Sequence, residues 1–394
     1  MPSTVRRIAA IFPQELEYSS RLMKGAVDYV KKHRNVALVD LPYRVDAPNS
    51  IRLDRPLPFD AAFIWATPEA RWVEDLLAAS LPLVGASGDW PSEQVPYISF
   101  DGKAVEERAI EHLARRKPEI LLHLEFLITG VPLIENRTRR FCDLARRRGF
   151  PVKSFELFRL GDPEDNSLTR RMPLQGKAAK RLKSLLRGLS RPAAIWCGDD
   201  WLGLRVCEAA VALGLRIPED VAVLGLGDFA GAEGGHPSLS SIPLPGETIA
   251  YHALTILNQR LSGKNDFPDR LLVSPPPVVA RESTIGVLPQ DSVGKALQII
   301  AERACEGITV RKVAAAVGLS PQTLTAQFME RNGRPPGEEI RRARLAKAKC
   351  HLHDSRLSIS EVASLCGYAQ QSKFSNFFKR ETGLSPRDYR KEHY

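Results

Sequence analysis

The residues most able to recognise another molecule lie near the C-terminus. On a helical wheel, Gln371, Ser372, Ser375, Asn376 and Lys379 share one arc, and Phe374, Phe377 and Phe378 fall within an opposite arc of roughly 100°. An amide can form paired hydrogen bonds with an adenine edge, a hydroxyl can serve several bases, and a lysine suits a phosphate. A second set precedes it by 49–50 residues: Leu324 and Phe328 point inward, and Gln322, Thr323, Thr325 and Ala326 form the outer face. Either set alone could be the polar face of a small helical bundle. Their repetition in tandem favours recognition of a duplex.

Elsewhere the chemistry is thinner. Gly225-Leu226-Gly227-Asp228-Phe229-Ala230-Gly231 follows an apolar run, but its glycine spacing does not fit a dinucleotide loop, and no phosphate-loop lysine motif or nucleophile elbow occurs. Cys350, His351 and His353 cannot all share one face of a helix, so no metal site is expected there. No catalytic set is visible. The expectation is a chain that is not an enzyme and carries no cofactor or metal.

The elements that must position the two polar faces can be read from their flanks. Val313-Ala314 and Gly318 match Val362-Ala363 and Gly367; Gly333-Arg334-Pro335-Pro336 matches Gly383-Leu384-Ser385-Pro386. Each block reads as a short helix, a tight turn whose glycine tolerates positive φ, and a second helix. Ser320 is placed to cap the second helix of block one ahead of Pro321, and Ser358 with Glu361 forms a capping-box pattern in block two.

Residues 6 to about 283 alternate apolar runs with amphipathic stretches. Candidate strands are Ile8–Phe12, Val36–Leu41, Ala61–Trp65, Leu83–Ala86, Ile120–Leu124, Ala193–Cys197 and Val221–Leu226. Candidate helices carry Leu22, Ala26, Val27 and Val30, or Leu202, Val206, Ala209 and Ala210, at helical spacing. That alternation predicts an α/β body with parallel sheets, and its length predicts two lobes. Beyond Ser274-Pro275-Pro276-Pro277 and a linker, every segment has helical period.

Charge divides unevenly. From Val287 onward 18 lysines and arginines face 11 aspartates and glutamates, against 38 and 35 in the rest, so most of the net +10 sits in the tail. A polyanion is the natural partner of such a tail. No segment approaches the apolar length of a membrane span, and no apolar leader follows Met1. Six scattered cysteines read as reduced thiols of a cytoplasmic protein.

The second block closely resembles the signature of the AraC/XylS-type regulators through Leu357-Ser358-Ile359-Ser360-Glu361-Val362-Ala363, Cys366-Gly367-Tyr368, Phe374-Ser375, Phe377-Phe378-Lys379 and Gly383-x-Ser385-Pro386-x-x-Tyr389-Arg390. The resemblance, spanning about Lys295 to Arg390, implies two three-helix subdomains joined by a long helix near Pro336–His351. Each subdomain would place its second helix in the major groove. Ala326 is small where relatives carry a longer base reader, which leaves more of the reading to the second unit.

The body resembles the sensing core of LacI-type repressors through Ala194-Ile195-Trp196-Cys197-Gly198-Asp199-Asp200, Gly214–Gly225 and Pro237–Leu261. A LacI-type core fused to an AraC-type reader is the arrangement of the xylose-operon regulators, which the chain also resembles at Tyr18, Gly25, Tyr29, Pro276-Pro277-Val278 and Arg281-x-Ser283-Thr284. This implies a two-lobed periplasmic-binding-protein-like α/β sensor over 1–284, a linker over 285–293, and an all-α double helix-turn-helix domain over 294–394. The lobes are expected at 6–116 with 243–270 and at 118–242 with 271–283.

By the same resemblance Asp200 accepts and Arg137 donates hydrogen bonds to a small-molecule effector, a sugar such as xylose, in the cleft between lobes; Tyr18 and Asp228 are further candidates, and Trp65 a weaker one. Relatives carry an aspartate where this chain has Gly227. The implied function is a homodimeric, sequence-specific regulator of a carbohydrate-utilisation operon that binds double-stranded DNA. The alternative is a regulator with a vestigial or non-sugar cleft acting as a protein-interaction scaffold.

Overall fold

Apolar runs too far apart for hairpins must pair in parallel through helical crossovers. The computed structural model shows this arrangement. It describes residues 5–13, 16–44, 48–53, 55–66, 70–86, 95–128, 132–160, 174–264, 267–285, 292–332, 334–352 and 357–392. The chain divides into two units, Met1–Thr284 and Ile285–Tyr394.

The first unit holds strands β1 (Arg6–Ile11), β2 (Val36–Asp40), β3 (Ala61–Ile64), β4 (Leu83–Gly85), β5 (Tyr97–Phe100), β6 (Ile120–Ile128), β7 (Val152–Leu160), β8 (Ala193–Cys197), β9 (Val221–Gly227), β10 (Ser240–Pro243) and β11 (Arg270–Val273). They form two parallel sheets, ordered β11-β5-β4-β3-β1-β2 and β10-β9-β8-β6-β7. Strands β8 and β9 are buried along their whole length, as sheets covered on both faces require.

The exchange points between lobes differ from the sequence expectation. The Gly102–Ala114 helix packs against β8, β9 and β10, so the chain enters the second lobe after Phe100 and not near residue 117. β11 pairs with β5, so residues 271–273 stay in the first lobe. The third passage follows Val273.

Close helix crossing explains one glycine. A Cβ at Gly25, in the Glu17–Lys32 helix, would collide with the backbone of Glu247 in the Gly246–Arg260 helix. The buried stripe of the former helix is Leu22, Gly25, Ala26 and Tyr29; Val27, counted into that stripe from its spacing, stands 37% exposed.

The second unit is all helical among the described residues. Ser292–Arg303, Val310–Ala316 and Pro321–Asn332 close one core on Val313, Ala314, Leu324 and Phe328. Pro336–Leu352 is the long connecting helix. Ile359–Leu365, Gln371–Thr382 and Pro386–Glu392 close a second core on Val362, Ala363, Phe374, Phe378 and Tyr389. Full burial of a phenylalanine stabilises by about 1.5–3 kcal/mol, so Phe374 and Phe378 anchor the second core.

Candidate nucleic-acid interface and effector cleft

The second helix of each helix-turn-helix, the candidate reading helix, is aimed by its turn. Gly318 and Gly367 adopt φ of +70° and +80°, which a side chain would strain, between the short helix and the one that follows. Ser358 caps Ile359–Leu365 in a complete capping box: Glu361 N–H donates to Ser358 Oγ at 3.2 Å, and Ser358 N–H donates to Glu361 at 2.7 Å. With Phe374, Phe377 and Phe378 buried, Gln371, Ser372, Asn376 and Lys379 stand exposed and Ser375 half-exposed. Lys373 and Arg380 join that exposed surface, though the wheel did not single them out.

The first unit offers less. Gln322 and Ala326 are exposed, but the hydroxyl of Thr323 lies 2.8 Å from Ser320 Oγ, which also caps the helix by accepting from Thr323 N–H at 3.1 Å. Thr325 donates its hydroxyl to Pro321 O at 2.7 Å. Both threonines therefore spend their hydroxyls within the helix.

In the first unit of the chain, the C-terminal ends of the strands carry the buried polar groups. Asp200 follows β8 and is 2% exposed. One of its oxygens accepts from Phe229 N–H at 2.8 Å, and the other from the Ser241 hydroxyl. Burial pushes its carboxyl up to about 7, against the pull of those two donors, and the charges of Asp199 and Asp228 add to the rise. Asp200 thus fastens the loop after β9 to the start of the Asp200–Ala212 helix.

Asp228, at φ +55°, places its carboxylate 2.8 Å from Arg281 and donates its N–H to Ser241 Oγ at 3.0 Å. Gly227 before it adopts φ +124°, and a Cβ there would collide with the edge of the Phe229 ring. The aspartate that the resemblance leads one to expect at this position has no room: a glycine stands there, and the Phe229 ring occupies the space of its side chain.

Arg137, on the Pro132–Arg147 helix, is 8% exposed. It pairs with Glu125 within β6, donates to Gly198 O at 3.3 Å and lies 6.0 Å from the Trp196 ring. Burial raises the Glu125 carboxyl, but Arg137 and His123 outweigh it and hold it below the usual range. His123 stacks on Trp196 with centroids 4.5 Å apart and stands 3.4 Å from Glu125. Among the described residues Arg137 Nε has no partner and neither has the hydroxyl of Tyr18, which burial and the charge of Glu247 push well above the usual phenol range. Tyr18 packs edge-on against Phe100 at 6.0 Å. Trp65 is buried at the end of β3, its carbonyl accepting from Tyr43 OH at 2.7 Å.

Sequence reasoning missed Arg21. It reaches from the first lobe to donate to Asp228 O, lies 5.5 Å from the Phe229 ring, and pairs with Glu247 at 3.3 Å. Glu125, Ser241, Phe229 and Arg281 were also missed. Each acts only through a partner distant in the chain, and no local pattern marks such residues.

Comparison with known proteins agrees with both halves. A family model described as a periplasmic binding protein-like domain matches residues 111–284, and a helix-turn-helix domain matches 313–392. The xylose operon regulatory protein of Escherichia coli (strain K12) is 26% identical over 98% of this chain and 96% of its own. That of Haemophilus influenzae is 23% identical over 98% of both. A solved xylose-binding transcription activator aligns over 98% of both chains at TM-score 0.57 and 24% identity. A transcriptional regulator bound to cellobiose covers 71% of this chain and 86% of its own at TM-score 0.56 and 18% identity. These two structures share the fold. The chain is a DNA-binding transcription regulator, a helix-turn-helix reader joined to a periplasmic-binding-protein-like sensor, similar from end to end to the xylose operon regulatory proteins.

Proposed function

We propose that the cleft takes a neutral sugar of pentose size, xylose first among candidates, and that its binding changes how two paired copies of the chain sit on the DNA of a carbohydrate-utilisation operon. The observation that carries the reading is the pairing of two unspent buried donors, Tyr18 OH and Arg137 Nε, with the carboxylates of Asp200 and Asp228 at the strand ends of the two lobes. Sugar hydroxyls both donate and accept, so they fit a site that mixes such groups, and Phe100 and Phe229 supply apolar surface. Asp200 and Asp228 join by exchanging a protein donor for a sugar hydroxyl.

On the DNA side Gln371 and Asn376 read bases; Ser372, Ser375 and Lys379 contact bases or phosphates. In the first unit Gln322 and Ala326 supply the contact, with Thr323 and Thr325 beside them. Among the described residues no helix is long and apolar enough to cross a membrane.

A mobility-shift assay on the promoter fragment beside the gene, with xylose, arabinose and ribose in turn, tests the reading. A shift altered by one pentose supports it. No thermal stabilisation by any sugar would favour a scaffold with a vestigial cleft, a reading that the engaged state of Asp200 and Asp228 supports, because a bound ligand must raise stability.

A further inference from the structure

The helical unit contains a pair of cysteines that DNA reading does not use. Cys305 lies just past the Ser292–Arg303 helix, yet its side chain packs against the second core, whose member Cys366 is fully buried. The two thiols are hydrogen-bonded to each other. The contact is tight: a Cβ on Gly367 would collide with the carbonyl of Cys305. Arg344 of the connecting helix stands at the same spot, donating to Ala304 O at 2.6 Å and Ile308 O at 2.9 Å.

The surroundings favour a thiolate. The Cys366 hydrogen bond pulls the half-buried Cys305 thiol down to about 7; burial opposes this, and Lys347 and Arg344 assist. Cys142, Cys197 and Cys207 are instead raised by burial, to about 12 for Cys207. One partly exposed, acidic thiol beside a buried second thiol is the arrangement of an attacking and a resolving cysteine.

We propose that Cys305 and Cys366 form a reversible disulfide under hydroperoxide stress, and that this bond weakens DNA binding by the second reading unit. Cys305 thiolate attacks the peroxide oxygen, giving a sulfenic acid and hydroxide, which takes a proton to become water. Cys366 sulfur then attacks the sulfenic sulfur, its thiol proton leaving with the hydroxyl as a second water. Overall, two thiols and one hydrogen peroxide give one disulfide and two waters. The sulfurs must close to about 2.05 Å, which pulls Cys366 and the Gly367 turn toward the end of the first subdomain. That turn aims the Gln371–Thr382 helix, so its displacement moves the base-reading face.

The full chain is treated with hydrogen peroxide, blocked with an alkylating agent and mapped by peptide mass spectrometry, and its binding to the promoter fragment is measured in parallel. The expected result is a cross-linked Cys305–Cys366 peptide lighter by two hydrogens, with affinity about tenfold lower and restored by dithiothreitol. C305S keeps a group of similar shape, should bind as the reduced protein does, and should ignore peroxide. Oxidation of Cys305 that stops before a disulfide, a link to any other cysteine, a disulfide with unchanged affinity, or peroxide sensitivity retained in C305S would each overturn the proposal. The inference rests on DNA binding by the tail. Failure of the reduced protein to bind the fragment would count against that reading, whereas the cross-link is mapped independently of it.

Discussion

Arg21 of the first lobe donates a hydrogen bond to the backbone oxygen of Asp228 in the second, beneath the Phe229 ring. One side chain thus spans the sensor at the loop that also holds Gly227. As a contact between lobes, it favours an arrangement that keeps the two together over one that parts them.

Replacing Arg21 with alanine should therefore weaken sugar binding. Loss of a charge-assisted bond with a partly buried ion pair corresponds to about 1–1.5 kcal/mol, or about tenfold in affinity. Titration calorimetry measures it. An unchanged affinity would show that the clasp plays no part in closure.

Placing at residue 227 the aspartate that the resemblance leads one to expect should destabilise the sensor. Gly227→Asp forces a side chain onto φ +124° and into the Phe229 ring, at a cost of about 1–3 kcal/mol from the backbone alone. The melting temperature should fall. It should recover in part in Gly227→Asp combined with Phe229→Ala, which removes the obstructing ring but leaves the backbone strain.

Asp200 gives a pH signature. Burial raises its carboxyl from 3.8 to about 7, so the folded chain binds a proton that the unfolded chain has already released. Its contribution therefore favours folding below 3.8 and is lost as pH rises to about 7. Asp200→Asn keeps an acceptor for Phe229 N–H and does not titrate. Denaturant midpoints of the sensor transition should then depend less on pH across that window, with the variant gaining relative to the parent at pH 8.

Among DNA contacts, Gln371→Ala and Asn376→Ala should each cost about 1–3 kcal/mol on the operator and little on unrelated DNA. Lys379→Ala should weaken binding to both and lower the salt dependence by about one counterion. Thr325→Val should change neither, because that hydroxyl already serves Pro321. Anisotropy titrations at several salt concentrations separate these outcomes.

What the sequence disclosed follows from how local each signal is. Ala193–Cys197 is a strand over the residues its apolar run marked, and Val221–Leu226 extends by one residue to Gly227, because apolar residues in a doubly covered sheet need no help from afar. β10 escaped notice. Ser240 and Ser241 are polar, yet both are fully buried, since Thr284, Arg281 and Asp200 satisfy their hydroxyls. The tail was more legible still: caps, glycine turns and the phenylalanine floor are contacts within a few dozen residues. The effector cleft was the opposite case. Asp200 and Asp228 could be named from resemblance, but their engagement by Ser241, Phe229 and Arg281 depends on segments brought together only by the fold.

The short Glu282–Ile285 helix lies where the first unit ends. Ser283 donates to Val223 O at 2.6 Å and accepts from Ser240 N–H at 2.8 Å, while Thr284 lies 2.7 Å from His112 Nε2. One residue earlier still, Glu282 accepts from Ser238 at 2.8 Å. The point of departure is bolted to the second lobe, with Arg281 linking it to Asp228 at the cleft. In mechanical terms there is no slack up to this point: Ser283 and Thr284 are clamped to the second lobe and belong to it as a rigid piece.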